Sequence, residues 1–293
     1  MSKIEIKAYA KINLSLDVTG VRDNGYHDVS MVMQSVGLFD EVTIERCCED
    51  RIFCSTNNPA LPNDERNLAY RAAALLKERF SLKAGVAINI RKKIPMEAGL
   101  AGGSTDCGAV ITGMNRLFEL GMTAGEMREL GVKLGADVPF CIEGGTMLSE
   151  GIGEILTPIK SMVDCGILIV KPSYGVNTKE AYGLIDEQGL FAKRYTPKMI
   201  QAVEEGNLKR IAGALGNAFE DVIFPRHEDL MRVKESLIKA GALGGVLSGS
   251  GPSIFGIFES LEEAEAAKLR VKAEFSDMMA TVTTPVAGQG GEL

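Results

Sequence analysis

The chain has no basic run longer than the three residues Arg91-Lys92-Lys93. Its 32 Lys and Arg stand against 39 Asp and Glu, a formal net charge of −7 over 293 residues. Nucleic acid or an anionic lipid surface needs clustered cations to overcome that repulsion, so a small-molecule partner is expected, with no nucleic acid and no membrane. An apolar signal core is missing too. The opening MSKIEIKAYAKINLSL is broken by charges every few residues, and the uncharged stretches elsewhere fall short of a spanning helix. The six cysteines (Cys47, Cys48, Cys54, Cys107, Cys141, Cys165) contain no CxxC pair. Without a secretory signal they read as free thiols of a cytoplasmic protein. Internal repeats and low-complexity tracts are absent. What remains is ordinary for a globular protein: 45% apolar and 24% charged residues, enough chain for one large domain or two moderate ones.

Residues 4–18 alternate strictly. Ile4, Ile6, Ala8, Ala10, Ile12, Leu14, Leu16 and Val18 share one parity, and polar residues including Lys11, Asn13, Ser15 and Asp17 share the other. Period two predicts a long strand or hairpin with one buried face, and sets Lys11 beside Asn13 on the polar face. Asn24-Gly25 marks a turn. Further strands are expected near 42–44 and 86–90. Helical spacing covers 65–80, with Asp64 as cap, and 104–120; Thr123 and Glu126 form a capping box for a third helix ending at Gly135. Leu156-Thr157-Pro158 marks a division, giving an N-terminal unit 1–155 and a C-terminal unit 156–293. The second unit reads as a strand at 166–170, helices near 179–186, 197–205 and 227–240, strands flanking a glycine turn at 244–258, a helix capped by Ser260 and Glu263, and a last strand near 278–284. Strands and helices mix without strict alternation, which predicts an α+β fold. The acidic side chains of 186–188 and 203–206 read as solvated helix faces.

The segment from Pro95 to Thr105, Pro-Met-Glu-Ala-Gly-Leu-Ala-Gly-Gly-Ser-Thr, follows a strand and opens a helix. Backbone N–H groups in such a turn, with the partial positive charge of the helix N-terminus, make a phosphate site. Gly102 and Gly103 remove Cβ atoms from the approach, and Ser104 and Thr105 offer hydroxyls. It is neither GxxxxGK[ST], since no Gly-Lys pair occurs, nor GxGxxG. A second glycine segment, Leu247-Ser-Gly-Ser-Gly-Pro-Ser, reads alone as a hairpin turn. Asp137, before Val138-Pro139-Phe140, is a helix-end or turn acid, or a positioned general base. His27, beside Tyr26, reads alone as a structural or exposed histidine, and Lys11 alone as a surface lysine.

Taken in order, A-Y-A-K-I-N-L-S-L at the start, G-Y-H-D at 25–28, the 95–105 loop, G-A-D-V-P-F at 135–140, E-G-I-G-E at 150–154 and L-S-G-S-G-P-S near the end resemble the GHMP kinases over nearly the whole chain. The resemblance implies two α/β-layered domains with the active site in the cleft between them, and ATP with Mg²⁺ as phosphoryl donor. It places the phosphates on loop 95–105, meaning Pro95, Met96, Glu97, Ala98, Gly99, Leu100, Ala101, Gly102, Gly103, Ser104 and Thr105. Asn67 and Lys92 fall near adenine. Asp137 is the catalytic acceptor of the hydroxyl proton and Lys11 its orienting lysine. Asn13 and His27 hold the acceptor substrate, Tyr26 and Tyr182 sandwich a cytosine, and Gly249, Ser250 and Gly251 complete the acceptor site. The acceptor implied is a cytidylylated methylerythritol, phosphorylated on its 2-hydroxyl. Relatives acting on homoserine or mevalonate, and a non-catalytic nucleotide-binding relative, are the alternatives. Aromatic stacking of a base suits an acidic protein because it needs no net positive charge. Glu97 and Ala98 depart from the small residues or glycine expected of the family there. A carboxylate at 97 is compatible with a triphosphate only if it turns to solvent. No acidic residue is assigned as a metal ligand.

Overall fold

The computed structural model describes residues 2–192 and 194–288. The elements in chain order are β1 (Lys3–Val21), β2 (His27–Cys47), β3 (Ile52–Thr56), α1 (Leu68–Arg79), β4 (Gly85–Arg91), α2 (Gly102–Phe118), α3 (Ala124–Val132), α4 (Val138–Glu143), β5 (Thr146–Gly151) and β6 (Ile155–Pro158). There follow β7 (Gly166–Lys171), α5 (Thr178–Gln188), α6 (Thr196–Glu205), α7 (Leu208–Ala214), β8 (Gly216–Asn217), α8 (Glu220–Ile223), α9 (Glu228–Lys239), β9 (Gly244–Leu247), β10 (Ile254–Phe258), α10 (Leu261–Glu274) and β11 (Met279–Thr283). The first sheet runs β3-β4-β2-β1-β8, with β5 and β6 attached along β2; the second runs β11-β7-β10-β9. This is the α+β class expected from the mixed pattern. No helix among the described residues is long and apolar enough to cross a membrane. All six cysteines are free.

The first sheet hangs on one antiparallel pair, β1 with β2, whose register runs from Lys3 opposite Glu45 to Val21 opposite His27. The alternating sequence foretells β1 correctly, but not a single buried face. Between Asn13 (opposite Met33) and Ser15 (opposite Val32) β1 carries one extra residue. A one-residue slip exchanges the faces of a strand. Ala10, Ile12 and Leu14 therefore pack with Ile167, Ile169 and Phe255 of the second sheet. Leu16 and Val18, of the same parity, pack instead with Met31, Phe219 and Leu168. The polar parity splits in the same way. Lys11 and Asn13 face a cleft, while Ser15 and Asp17 turn toward α6. All four are buried, so the reading of Lys11 as a surface lysine is overturned.

Asp17 shows how that polar face is satisfied. Its carboxylate accepts hydrogen bonds from the backbone N–H groups of Arg194 (3.0 Å), Tyr195 (3.1 Å) and Thr196 (2.9 Å), at the start of α6. These are donors that a helix start leaves unpaired. Ser15 Oγ sits 3.0 Å from Thr196 Oγ1.

Several local expectations shift. α1 is capped by Asn67, whose side chain accepts from the Ala69 N–H, while Asp64 pairs with Arg66 instead. The capping boxes or caps at Thr123 with Glu126 and at Ser260 are as expected. β6 spans the anticipated division at 155/156 and pairs with β5 in the first sheet. Asp137 stands at the N-cap of the short helix α4, one of the positions the sequence left open for it.

Asp17→Ala removes one acceptor from three buried backbone donors. It should lower the unfolding free energy by about 2–3 kcal/mol in urea titrations with the denaturant slope preserved. A change under about 0.5 kcal/mol would mean the start of α6 is held by packing alone.

Candidate active site

A cleft of about 1190 Å³ opens between the first sheet's helices and the second half of the chain. Its floor is β1, its roof the glycine loop and the start of α2. Helix α2 begins at Gly102 without a side-chain cap, because Ala101 holds the N-cap position in a left-handed conformation, and its first turn carries no acidic residue. The first helical bond is Thr105 N–H to Ala101 C=O at 2.9 Å. The N–H groups of Gly102, Gly103 and Ser104 are thus left without helical partners, at the positive end of a 17-residue helix. This is the sequence-predicted phosphate cradle.

Gly99 joins this loop to the rest of the site. Its φ is +70°, and a Cβ there would lie 2.0 Å from the Ser248 carbonyl oxygen, so only glycine fits. The Gly99 carbonyl accepts from Lys11 Nζ at 3.0 Å and from Ser248 Oγ at 2.9 Å. Lys11 Nζ also donates to Asn13 Oδ1 at 2.7 Å and stands 4.0 Å from Asp137 Oδ2. The Asp137 side chain is one-third exposed, at 33%, against 5% for Lys11. A buried ammonium thus faces a carboxylate open to the cleft. Asn13 completes its own bonding through Nδ2 to Met31 Sδ at 3.1 Å.

A second cluster gathers the aromatics. His27 stacks on Tyr182 with ring centroids 4.3 Å apart and planes at 21°, and Tyr182 meets the Phe219 ring edge-on at 4.9 Å. Burial, and secondarily the negative charge of Asp137, push the Tyr182 hydroxyl well above the usual phenol range. His27 Nε2 lies 2.7 Å from Asp186 Oδ1. Asp186 stays exposed, at 43%, as a solvated helix face requires, and carries this bond as well. Tyr26 is 57% exposed at the same rim. The ring lying flat against Tyr182 is His27, one residue from the tyrosine expected to face Tyr182 across the cytosine.

Of the sequence-predicted residues, Pro95, Met96, Ala98, Ala101, Asn67, Lys92, Gly249 and Ser250 line the cleft with those already described. Leu100, Thr105 and Gly251 do not. Leu100 packs in the core between the sheets. Thr105 turns its hydroxyl onto the Gly102 carbonyl at 2.9 Å. Gly251 points inward, close to Leu247. Glu97 lines the cleft but is exposed, with φ +48°, and its carboxylate lies over Gly175. Burial lowers the Lys171 ammonium from its usual range, and the Glu97 charge opposes that shift. The carboxylate at 97 thus faces the C-terminal half rather than the helix N-terminus.

Sequence reasoning missed the partners of Lys92. Its ammonium donates to Asp40, to Asp106 Oδ2 at 2.6 Å and to the Gly102 carbonyl at 3.2 Å. Asp40 Oδ1 also accepts from the backbone N–H of Ile94 at 2.8 Å. One lysine therefore serves two buried carboxylates. Asp106 Oδ1 has no hydrogen-bond partner. Burial first, and the neighbouring Asp40 charge against the pull of Lys92, raise the Asp106 carboxyl to about 8. Among the described residues no group of three or more His, Cys, Asp or Glu side chains is placed to hold a metal.

With the geometry in place, the comparisons identify the class. The chain matches the GHMP kinases N-terminal domain over residues 67–145 and the GHMP kinases C-terminal domain over 199–277. It belongs to the GHMP kinase family. Within that family it is 45% identical over 280 residues to a Clostridium botulinum protein named 4-diphosphocytidyl-2-C-methyl-D-erythritol kinase, covering 96% of this chain and 100% of the relative. A Caldicellulosiruptor saccharolyticus protein of the same name is 47% identical over 278 residues, 95% of this chain and 96% of the relative. A crystal structure of 4-(cytidine 5'-diphospho)-2C-methyl-D-erythritol kinase superimposes with a TM-score of 0.83 at 28% identity, over 97% of this chain and 100% of that one. A homoserine kinase from Cytophaga hutchinsonii shares the fold, with a TM-score of 0.77 at 21% identity, over 99% and 96% of the two chains.

A carboxyl group raised in the folded state binds protons that the unfolded chain releases, so its contribution is complete below the ordinary carboxylate range and is lost as pH rises through the raised value. Asp106→Asn should therefore flatten the fall in stability between about pH 5 and about pH 8 seen in urea titrations of the parent. Equal pH slopes for the two proteins would show that Asp106 is ionised in the fold.

Proposed function

We propose that this chain transfers the γ-phosphoryl group of ATP to the 2-hydroxyl of 4-diphosphocytidyl-2-C-methyl-D-erythritol, a step of the non-mevalonate route to isoprenoid precursors. The observation that carries the chemistry is the Asp137 carboxylate, open to the cleft and 4.0 Å from the buried Lys11 ammonium. Phosphoryl transfer asks the protein for position and charge, with little covalent work. In this reading Asp137 accepts the proton of the attacking hydroxyl and directs its lone pair. Lys11, fixed by Gly99 and Asn13, holds Asp137 in place and offsets negative charge at the transfer point. The N–H groups of Gly102, Gly103 and Ser104 take the nucleotide phosphates, with Asn67 and Lys92 beside the adenine. The Ser104 hydroxyl, since Thr105 is turned onto the Gly102 carbonyl, is the loop side chain that would hold a Mg²⁺ ion carried with the nucleotide, and that ion would offset phosphate charge. His27, Tyr182 and Tyr26 hold the cytosine, and Asn13 with Gly249 and Ser250 the polyol end. The free cysteines and acidic surface support a cytoplasmic setting.

ADP release with Mg-ATP should occur on the cytidylylated acceptor and not on homoserine or mevalonate. Activity on either small alcohol alone would remove the cytosine from the site. Asp137→Asn should lose 10²-fold or more of kcat, on the order expected for a proton acceptor, with ATP binding retained. Near-normal turnover would take Asp137 out of its role. Tyr182→Ala should mainly raise the acceptor KM, by roughly 5–100-fold for a lost stacking contact of about 1–3 kcal/mol. A rise confined to the ATP KM would reassign the aromatic cluster to the nucleotide.

A further inference from the structure

We propose that Asp186 is a specificity-determining positioning residue: it takes the Nε2 hydrogen of His27, leaves Nδ1 as an acceptor facing the cleft, and so selects a base presenting an amine over one presenting a carbonyl. The inference rests on the cytidylyl reading above for its ligand, and on geometry for the rest. His27 Nε2 and Asp186 Oδ1 are 2.7 Å apart across 159 residues of sequence. A carboxylate only accepts, so the hydrogen sits on Nε2, and in the neutral ring the other nitrogen then carries a lone pair. The ring cannot turn freely, because its face lies on Tyr182 and Tyr182 is braced by Phe219. Nδ1 has no hydrogen bond within the described residues, yet it is not among the buried side-chain atoms left without a partner. His27 itself lines the cleft, and in this proposal Nδ1 is the atom it presents there.

Cytosine carries an amine at C4 where uracil carries a carbonyl. A lone pair at Nδ1 accepts from the first and repels the second. Asp186→Asn places an amide in the same space. An amide can either donate to Nε2 or accept from it, so the single tautomer is no longer imposed and the preference weakens. Asp186 touches no substrate in this account; it acts through His27.

Two measurements test this. The chain has two histidines, so ¹⁵N-histidine spectra of the free protein, assigned against a His227→Gln variant, report the His27 tautomer directly. The parent should show Nδ1 without hydrogen, and Asp186→Asn should lose that signature. A ring protonated on both nitrogens in the parent at neutral pH would overturn the proposal. Calorimetry with cytidine and uridine 5′-diphosphates should then show the parent favouring the cytidine nucleotide. In Asp186→Asn the ratio should shift toward uridine by about 3–10-fold, the weight of one hydrogen bond, at unchanged Tm. Equal weakening of both nucleotides would reduce Asp186 to a structural role and overturn the selectivity. A parent that shows the expected tautomer but binds neither nucleotide would overturn the cytosine reading and not the hold on His27.

Discussion

One buried ammonium organises the molecule. Lys11 Nζ sits on the long β1–β2 pair, 4% exposed, and reaches Asn13, the Gly99 carbonyl and Asp137. A charge so far from water is tolerated only with close partners. Its partners come from three separated stretches of chain: its own strand, the glycine loop and the start of α4. Satisfying that one cation therefore brings the glycine loop and the Asp137 carboxylate together. Ser248, from the turn between β9 and β10, donates to the same Gly99 carbonyl, so the second half of the chain is tied to the same point.

The extra residue at 14 on β1 makes this possible. Without it, Lys11 and Asp17 would share a face, and the polar side of the strand would have to serve the cleft and α6 at once. With it, Lys11 and Asn13 look into the cleft, and Asp17 binds three backbone N–H groups of the α6 start. The apolar residues divide accordingly between the core under the second sheet and the core beneath α5 and α8. A register slip usually harms a sheet by turning apolar groups outward. Here both faces are covered, so either parity can be buried.

This explains what the sequence revealed. Local signals survived the structure: the Thr123–Glu126 capping box, the Ser260 cap, and the strand–glycine–helix order of residues 86–118 depend on neighbours a few positions away. The family resemblance brought Lys11, Asp137, His27 and Tyr182 into one list, and the structure lines one cleft with them. What escaped depends on pairing over long separations. Asp40 meets Lys92 across 52 residues and Asp186 meets His27 across 159, and no local pattern marks either acid. The face exchange on β1 is set by β2, most of which carried no strand signal because its residues are apolar on both parities. The cap of α1 failed for a different reason: Asp64 is occupied by Arg66, two positions on, and the adjacent Asn67 took its place.

The charge balance poses the remaining question, since a chain of net charge −7 binds a triphosphate and a diphosphate ester. Lys92 adds little positive field, because Asp40 and Asp106 share it. The attraction must be local and largely from the backbone: the uncapped start of α2, the Lys11 ammonium, and the exposed Lys179 at the rim. A helix N-terminus acts over about one turn, so it favours phosphate that has already entered the cleft while leaving distant polyanions repelled. The two acidic side chains on Lys92 sharpen this. They hold the lysine against the Gly102 carbonyl and keep net charge at the cradle low, so that recognition depends on N–H groups whose directions are fixed by the helix. Such donors discriminate by geometry, and an acidic surface around them restricts access to small anions that fit.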